Sequence, residues 1–182
     1  MAKGNIFLVG MMGAGKTTLG RTLAQRLGLE FVDTDRVLVE RTGVPVATIF
    51  EFEGEDGFRR REGALLAEMG ARDGLVVATG GGAILSEENR SIMRAHGTVI
   101  YLRARLDNLW ERTRHDTSRP LLATPDPRAT LASLLAEREP LYRDAAHITV
   151  DTGAQSASTL VARVLAALRK ADGLPEHQGG SQ

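Results

Sequence analysis

The chain of 182 residues has no cysteine, which excludes a disulfide framework and any thiolate metal site. It has no excess of charge either, because 23 basic and 23 acidic side chains cancel. No overall basic field therefore exists to hold nucleic acid or an anionic membrane, and neither is expected as a partner. Long apolar runs are missing. The first, Ile6 to Val9, is too brief for a signal-peptide core or a membrane span, so a cytoplasmic location is expected. Lysine is scarce, standing only at positions 3, 16 and 170 against twenty arginines. Arginine favours planar, bidentate anion contacts where such side chains converge, although most of them read as solvated surface residues. No internal repeat or heptad pattern is present.

What is present is an alternation. Short apolar runs at Asn5 to Val9, Glu30 to Val32, Leu75 to Ala78, Thr98 to Leu102 and His147 to Val150 imply five buried strands. Amphipathic segments lie between them, such as Leu19, Leu23 and Leu27 before Gly28, and Leu160, Val164 and Leu168 before Gly173. Strand and helix in turn predict an α/β fold with a parallel sheet covered on both faces. The length suits a single domain, read as residues 1–173, with 174–182 as a tail lacking any core-forming pattern and expected to be disordered. Two segments break the rhythm. Residues 36–70 read as a helical insertion after the second strand, and 112–126 as a polar, proline-containing candidate lid, with Asp126-Pro127 opening the next helix.

Gly10-Met11-Met12-Gly13-Ala14-Gly15-Lys16-Thr17 fits the pattern G-x-x-x-x-G-K-[ST] between an apolar strand and an amphipathic helix, the context a P-loop requires. Glycines let backbone N–H groups curl around phosphate oxygens, and the helix N-terminus adds its positive end. Lys16 then reaches the β- and γ-phosphates, the Thr17 hydroxyl can ligate Mg²⁺, and Thr18 extends the donor set. A P-loop does not name the acceptor.

Asp33 and Asp35 stand two apart at the end of the second strand, so in extended geometry both project into the ligand crevice. Asp33 suits water-mediated metal binding and Asp35 suits accepting a hydrogen bond from a substrate hydroxyl. The alternative is an Asx turn in which Asp35 caps the next helix. Asp151, ending the last strand, is a lower-ranked candidate for the metal-binding acid. Leu131, Leu134 and Leu135 mark a buried stripe on which Arg138 also falls, and an inward guanidinium needs an anionic partner. Arg59 has Glu62 three residues on to orient it, whereas Arg60 and Arg61 read as a solvated face. Arg119, in the candidate lid, suits closing over a transferring phosphoryl group. Gly80-Gly81-Gly82 exceeds what a turn needs, and suggests that the backbone there approaches a ligand closely; a flexible connection is the alternative.

Taken together, the P-loop, Asp33-Thr34-Asp35, Phe58-Arg59 with Glu62, Gly80-Gly81-Gly82, Arg119-Pro120-Leu121-Leu122 and Arg138-Glu139-Pro140-Leu141-Tyr142 resemble the shikimate kinase family over residues 5–168. The resemblance implies a three-layer α/β/α P-loop fold like that of nucleoside-monophosphate kinases, with a five-stranded parallel sheet, a substrate-binding insertion and a lid. It implies transfer of the γ-phosphate of ATP to the 3-hydroxyl of shikimate, giving ADP and shikimate 3-phosphate on the way to chorismate and the aromatic amino acids. On the substrate side it implies Asp35, Arg59, Gly81 and Arg138, with Gly80 and Gly82 beside them. For Mg²⁺ it implies Thr17 and Asp33. For ATP it implies Gly13, Ala14, Gly15, Lys16, Thr17, Thr18 and Arg119 on the phosphates, and Arg112 with Gln155 near the adenine. Asp35, Lys16 and Arg119 would be the catalytic groups, and a monomer is implied. Rival readings are a gluconate or nucleotide kinase, which would lack the arginine and triple-glycine set, and a GTP-binding switch, which would need an Asn-Lys-x-Asp motif that none of the three lysines supplies.

Overall fold

Strand β1 (Asn5–Val9) is buried along its whole length, as a continuous apolar run in the middle of a parallel sheet must be. The structure, a computed structural model, describes residues 4–171, so the expectations for Gly173 and for 174–182 fall outside the described residues. Beside β1 lie β3 (Leu75–Ala78) and β4 (Gly97–Ala104), with β2 (Glu30–Asp33) and β5 (Ile148–Thr152) at the edges. The order is β2-β3-β1-β4-β5 and every pairing is parallel. Helices α1 (Lys16–Leu27) and α7 (Ala157–Ala171) pack against each other and the sheet. Helices α4 (Glu87–His96) and α6 (Pro127–Ala145) also contact the sheet, joined by α3 (Val46–Gly70) and α5 (Leu106–Thr113) through α4 and α6. The α/β class and the five strands expected from the apolar runs are thus observed.

The insertion after β2 consists of α2 (Thr34–Thr42) and α3. It starts two residues earlier than the hydrophobic pattern suggests, because the Asp33 carboxylate accepts hydrogen bonds from the amides of Asp35 and Arg36 and so caps a helix beginning at Thr34. Asp35 is helical rather than extended, and the cap is Asp33 rather than Asp35. Helix α3 breaks at Gly54, whose φ of 69° and ψ of 179° lie outside helical space. Helix α5 runs through Thr113, into the segment read as a lid, which continues through a 3₁₀ turn at Pro120–Leu122 to the Asp126 cap of α6.

The base of the sheet is fastened by one side chain. Asn5, 1% exposed, donates from Nδ2 to the carbonyls of Met69 (3.0 Å) and Arg72 (2.7 Å) and accepts from the Leu75 amide (3.0 Å). It ties the start of β1 to the end of α3 and the entry to β3. Asn5→Ala is expected to lower stability by about 2–4 kcal/mol, since each orphaned buried group costs about 1–3 kcal/mol. Urea unfolding with an unchanged m-value measures this; a loss below about 0.5 kcal/mol would mean that these groups find other partners.

Candidate active site

The loops following β1, β2 and β3 emerge at the carboxyl ends of three adjacent strands, where open α/β sheets bind ligands. In the loop after β1, Gly10, Gly13 and Gly15 have φ of 148°, 80° and 93°, a conformation that other residues adopt only with strain. Lys16 Nζ donates to the carbonyls of Gly10 (2.6 Å) and Met11 (2.9 Å), spanning the loop. Burial lowers its pKa to about 8, with Asp35 pulling the other way and Arg119 adding to the drop.

Thr17 Oγ1 donates to Asp33 Oδ2 at 2.7 Å, while the other carboxylate oxygen caps α2. A hydroxyl beside a carboxylate is hard-oxygen chemistry, and it fits a Mg²⁺ ion that takes its remaining ligands from water and phosphate. Among the described residues no group of three or more His, Asp or Glu could hold a metal alone. Asp151, the lower-ranked acid, is engaged in an exposed pair with Arg103 (Nη2 to Oδ2, 2.8 Å).

A cavity of about 640 Å³ opens beside this loop, lined by Asp35, Arg59, Glu62, Gly80 to Gly82, Arg119 and Arg138, with Val44, Pro45 and Phe50 on an apolar wall. It brings together side chains from five separate segments. Asp35 Oδ1 is buried without a hydrogen-bond partner. Burial raises its pKa, Asp33 raises it further, and Lys16 opposes both. Arg138 is 1% exposed, yet its Nε and Nη1 have no partner among the described residues. A buried guanidinium with two of its nitrogens unpartnered calls strongly for an anion. Arg59 donates to Glu62 Oε1 (2.8 Å) and to Glu55 (3.2 Å). Glu62 is fully buried, its second oxygen is unpartnered, and burial raises its pKa against the pull of Arg59. Arg119 lies 2.8 Å from Asp116 within the segment before α6.

Two of the three glycines have a steric reason. A Cβ at position 80 would stand 2.6 Å from Glu62 Oε2 and 3.1 Å from Asp35 Oδ1, and one at position 82 would stand 2.1 Å from Arg59 Nη2. The bare backbone admits the charged side chains of the site itself.

Other expected residues lie apart from that cavity. Arg112 joins the loop after β1 to the loop after β5, donating to the carbonyls of Gly13 (2.9 Å) and Gly153 (3.0 Å). With Gly15, the exposed Thr18 and Gln155 it lines a second cavity of about 250 Å³. Gln155 Nε2 donates to the Asp151 carbonyl at 2.8 Å. Arg61 pairs with Glu53 at the surface, in keeping with a solvated face. Sequence reasoning gave no role to Thr34, fully buried, whose Oγ1 accepts from the Gly80 amide at 3.1 Å. A threonine between two site aspartates was the available signal.

Comparison with known proteins gives this geometry a context. A family model described as shikimate kinase matches residues 12–169. The shikimate kinase of Nitrosospira multiformis is 59% identical over 155 residues, which cover 85% of this chain and 80% of that protein. Among solved structures, shikimate kinase from Acinetobacter baumannii in complex with shikimate aligns with a TM-score of 0.90 at 45% identity, over 92% of this chain and 94% of the other. A gluconokinase from Sinorhizobium meliloti shares the fold alone, with a TM-score of 0.58 at 20% identity over 92% and 93% of the two chains.

Proposed function

The chain belongs to the shikimate kinase family, ATP-dependent kinases of aromatic amino acid biosynthesis, and from that premise we propose how its residues divide the work of making shikimate 3-phosphate and ADP from shikimate and ATP. One observation carries the assignment. The buried, unpartnered Arg138 and the half-buried Arg59 share a cavity with an unpartnered carboxylate, Asp35, beside a P-loop. An acid bearing ring hydroxyls satisfies both ends at once.

In this reading Arg59 and Arg138 take the substrate carboxylate, and the Gly81 amide adds a donor. Asp35 accepts a hydrogen bond from the 3-hydroxyl and receives its proton as oxygen attacks the γ-phosphorus in line. Residues 13 to 18 hold the phosphates, Lys16 and Arg119 neutralise charge that develops on them, and Arg112 with Gln155 flanks the adenine. Thr17 and, through water, Asp33 would hold Mg²⁺, which supplies further neutralisation at the β- and γ-phosphates. Catalysis is then largely placement and electrostatics. Among the described residues no helix is long and apolar enough to cross a membrane, and a cytoplasmic monomer is the working state we propose.

The test is ADP release from ATP, measured with and without shikimate, and with and without Mg²⁺. Turnover should require both. Its pH dependence carries a sign. Lys16 is neutral above about 8 in the free enzyme, and Asp35 is protonated over a range raised above that of ordinary carboxylates. kcat/KM should therefore fall on both sides of a maximum, with an alkaline limb near pH 8 that moves upward in kcat because bound phosphates favour the charged lysine. Absence of any alkaline limb would remove Lys16 from this role.

A further inference from the structure

Three glycines in succession leave their peptide planes almost free to rotate, yet a Cβ at position 80 or 82 would crowd Glu62, Asp35 or Arg59. The rigidity of the pocket wall must come from hydrogen bonds. Gly80 N–H is held by Thr34 Oγ1 (3.1 Å), Gly80 C=O by the Ala83 amide (3.1 Å) and Gly82 C=O by the Leu85 amide (3.1 Å). The peptide joining Gly81 to Gly82 depends on a different residue.

That residue is Tyr142, fully buried on α6 one turn beyond Arg138. Its ring stacks on Tyr101 of β4, with centroids 5.0 Å apart and planes at 18°. Its hydroxyl donates to the Gly81 carbonyl and lies 3.7 Å from Met11 Sδ in the P-loop. Burial pushes the phenol pKa far above its ordinary value, with the charge of Arg138 and a hydrogen bond from its guanidinium to the phenol oxygen only partly opposing, so the hydroxyl keeps its proton. In a trans peptide the C=O and N–H point to opposite edges, and no peptide here is cis. Anchoring the Gly81 carbonyl against Tyr142 turns the Gly82 N–H to the other side. Among the described residues neither the Gly81 nor the Gly82 amide donates to a protein acceptor, and both residues border the large cavity.

We propose that Tyr142 is a positioning residue: it pins the Gly81–Gly82 peptide so that the Gly82 N–H faces the pocket as a further donor to the substrate carboxylate, beside Arg59 and Arg138. The inference rests on the carboxylate reading given above. Tyr142→Phe keeps the ring and its stacking but releases the carbonyl. KM for shikimate should rise about tenfold, while kcat changes less than about threefold and KM for ATP less than about twofold, the scale set by one buried hydrogen bond. A merely structural role would lower thermal stability and move both KM values together, which overturns the proposal, as do an unchanged KM for shikimate and a Gly82 amide resonance that still answers shikimate in Tyr142→Phe, since the change in KM would then come through Arg138.

A second measurement needs no variant. In wild-type enzyme labelled with ¹⁵N-glycine, the Gly82 amide proton should shift downfield on saturation with shikimate. Turnover of shikimate with an unmoved Gly82 resonance would sink this inference alone. Failure of shikimate to turn over at all would instead sink the carboxylate reading beneath it.

Discussion

Asp35→Asn is expected to lower kcat by about 10²- to 10⁴-fold, the usual worth of a positioned general base, while KM for ATP changes less than about threefold. The substitution keeps the shape but removes the negative charge and, with it, the capacity to take a proton. Asp35 Oδ1 is buried without a partner in the cavity that holds Arg59 and Arg138. Burial and the charge of Asp33 raise its pKa, which makes it a stronger proton acceptor than a solvated carboxylate. The same shift has a thermodynamic sign. A carboxyl whose folded pKa is raised above its unfolded value of 3.8 contributes stability at low pH that is lost as the pH rises through the folded value. At neutral pH the ionised side chain therefore opposes folding. Asp35→Asn should melt at or above the wild-type temperature while losing turnover, the pattern of a residue kept for chemistry. Steady-state kinetics paired with thermal unfolding reads both. An unchanged kcat, or a marked fall in melting temperature, would remove Asp35 from this role.

Much of this was legible in the residues, though not always for the right local reason. The three central strands were visible because parallel strands buried on both faces are continuous apolar runs, whereas β2 and β5, expected to be buried as well, are partly exposed at the sheet edges and were visible from shorter apolar runs. The P-loop was visible because its glycines, lysine and threonine must occur at fixed spacing between a strand and a helix. Arg138 betrayed itself by helical period, as a charge on a stripe of leucines, and it is buried as that stripe requires. Asp33 and Asp35 were singled out by assuming an extended strand through both. Asp33 instead caps α2, and the two carboxylates reach the crevice from a strand end and a helix start. The triple glycine stands out as room for a ligand, and it borders the cavity as that requires, while a Cβ at position 80 or 82 would also crowd Glu62, Asp35 or Arg59 of the same chain. What stayed hidden were contacts between distant segments: Asn5 with the end of α3, Thr34 with Gly80, Tyr142 with Gly81 and Arg112 with two loops. Each such partner is chosen by tertiary packing, and no local period or motif records it.

Arg138→Ala should weaken shikimate binding by about 3–5 kcal/mol, the scale of breaking a buried ion pair by removing one partner, or roughly 10²- to 4 × 10³-fold in Kd. The magnitude follows from how bare the guanidinium is. Arg59 already has Glu62 at 2.8 Å and Glu55 at 3.2 Å, so part of its charge is compensated within the protein. Arg138 is buried to 1% with Nε and Nη1 unpartnered, and within the protein it meets only the Tyr142 phenol and the charge of Glu62, which Arg59 already shares, so most of its compensation is left to the ligand. Of the two arginines, Arg138 should then be the more costly to truncate when binding is measured, although Arg59→Ala would strand the buried Glu62 and disturb the fold more. Arg138→Lys keeps the charge but loses the planar fork that matches a carboxylate, and should fall between wild type and alanine. Folding should respond in the opposite direction. Replacing an uncompensated buried cation with Arg138→Met, of similar length and no charge, is expected to leave stability unchanged or to increase it. Isothermal titration against shikimate and a thermal melt of each variant separate the two effects. Equal shikimate affinity in wild type and Arg138→Ala would mean that the substrate acid lies elsewhere in the cavity, and the burial of this arginine would then need another anion to explain it.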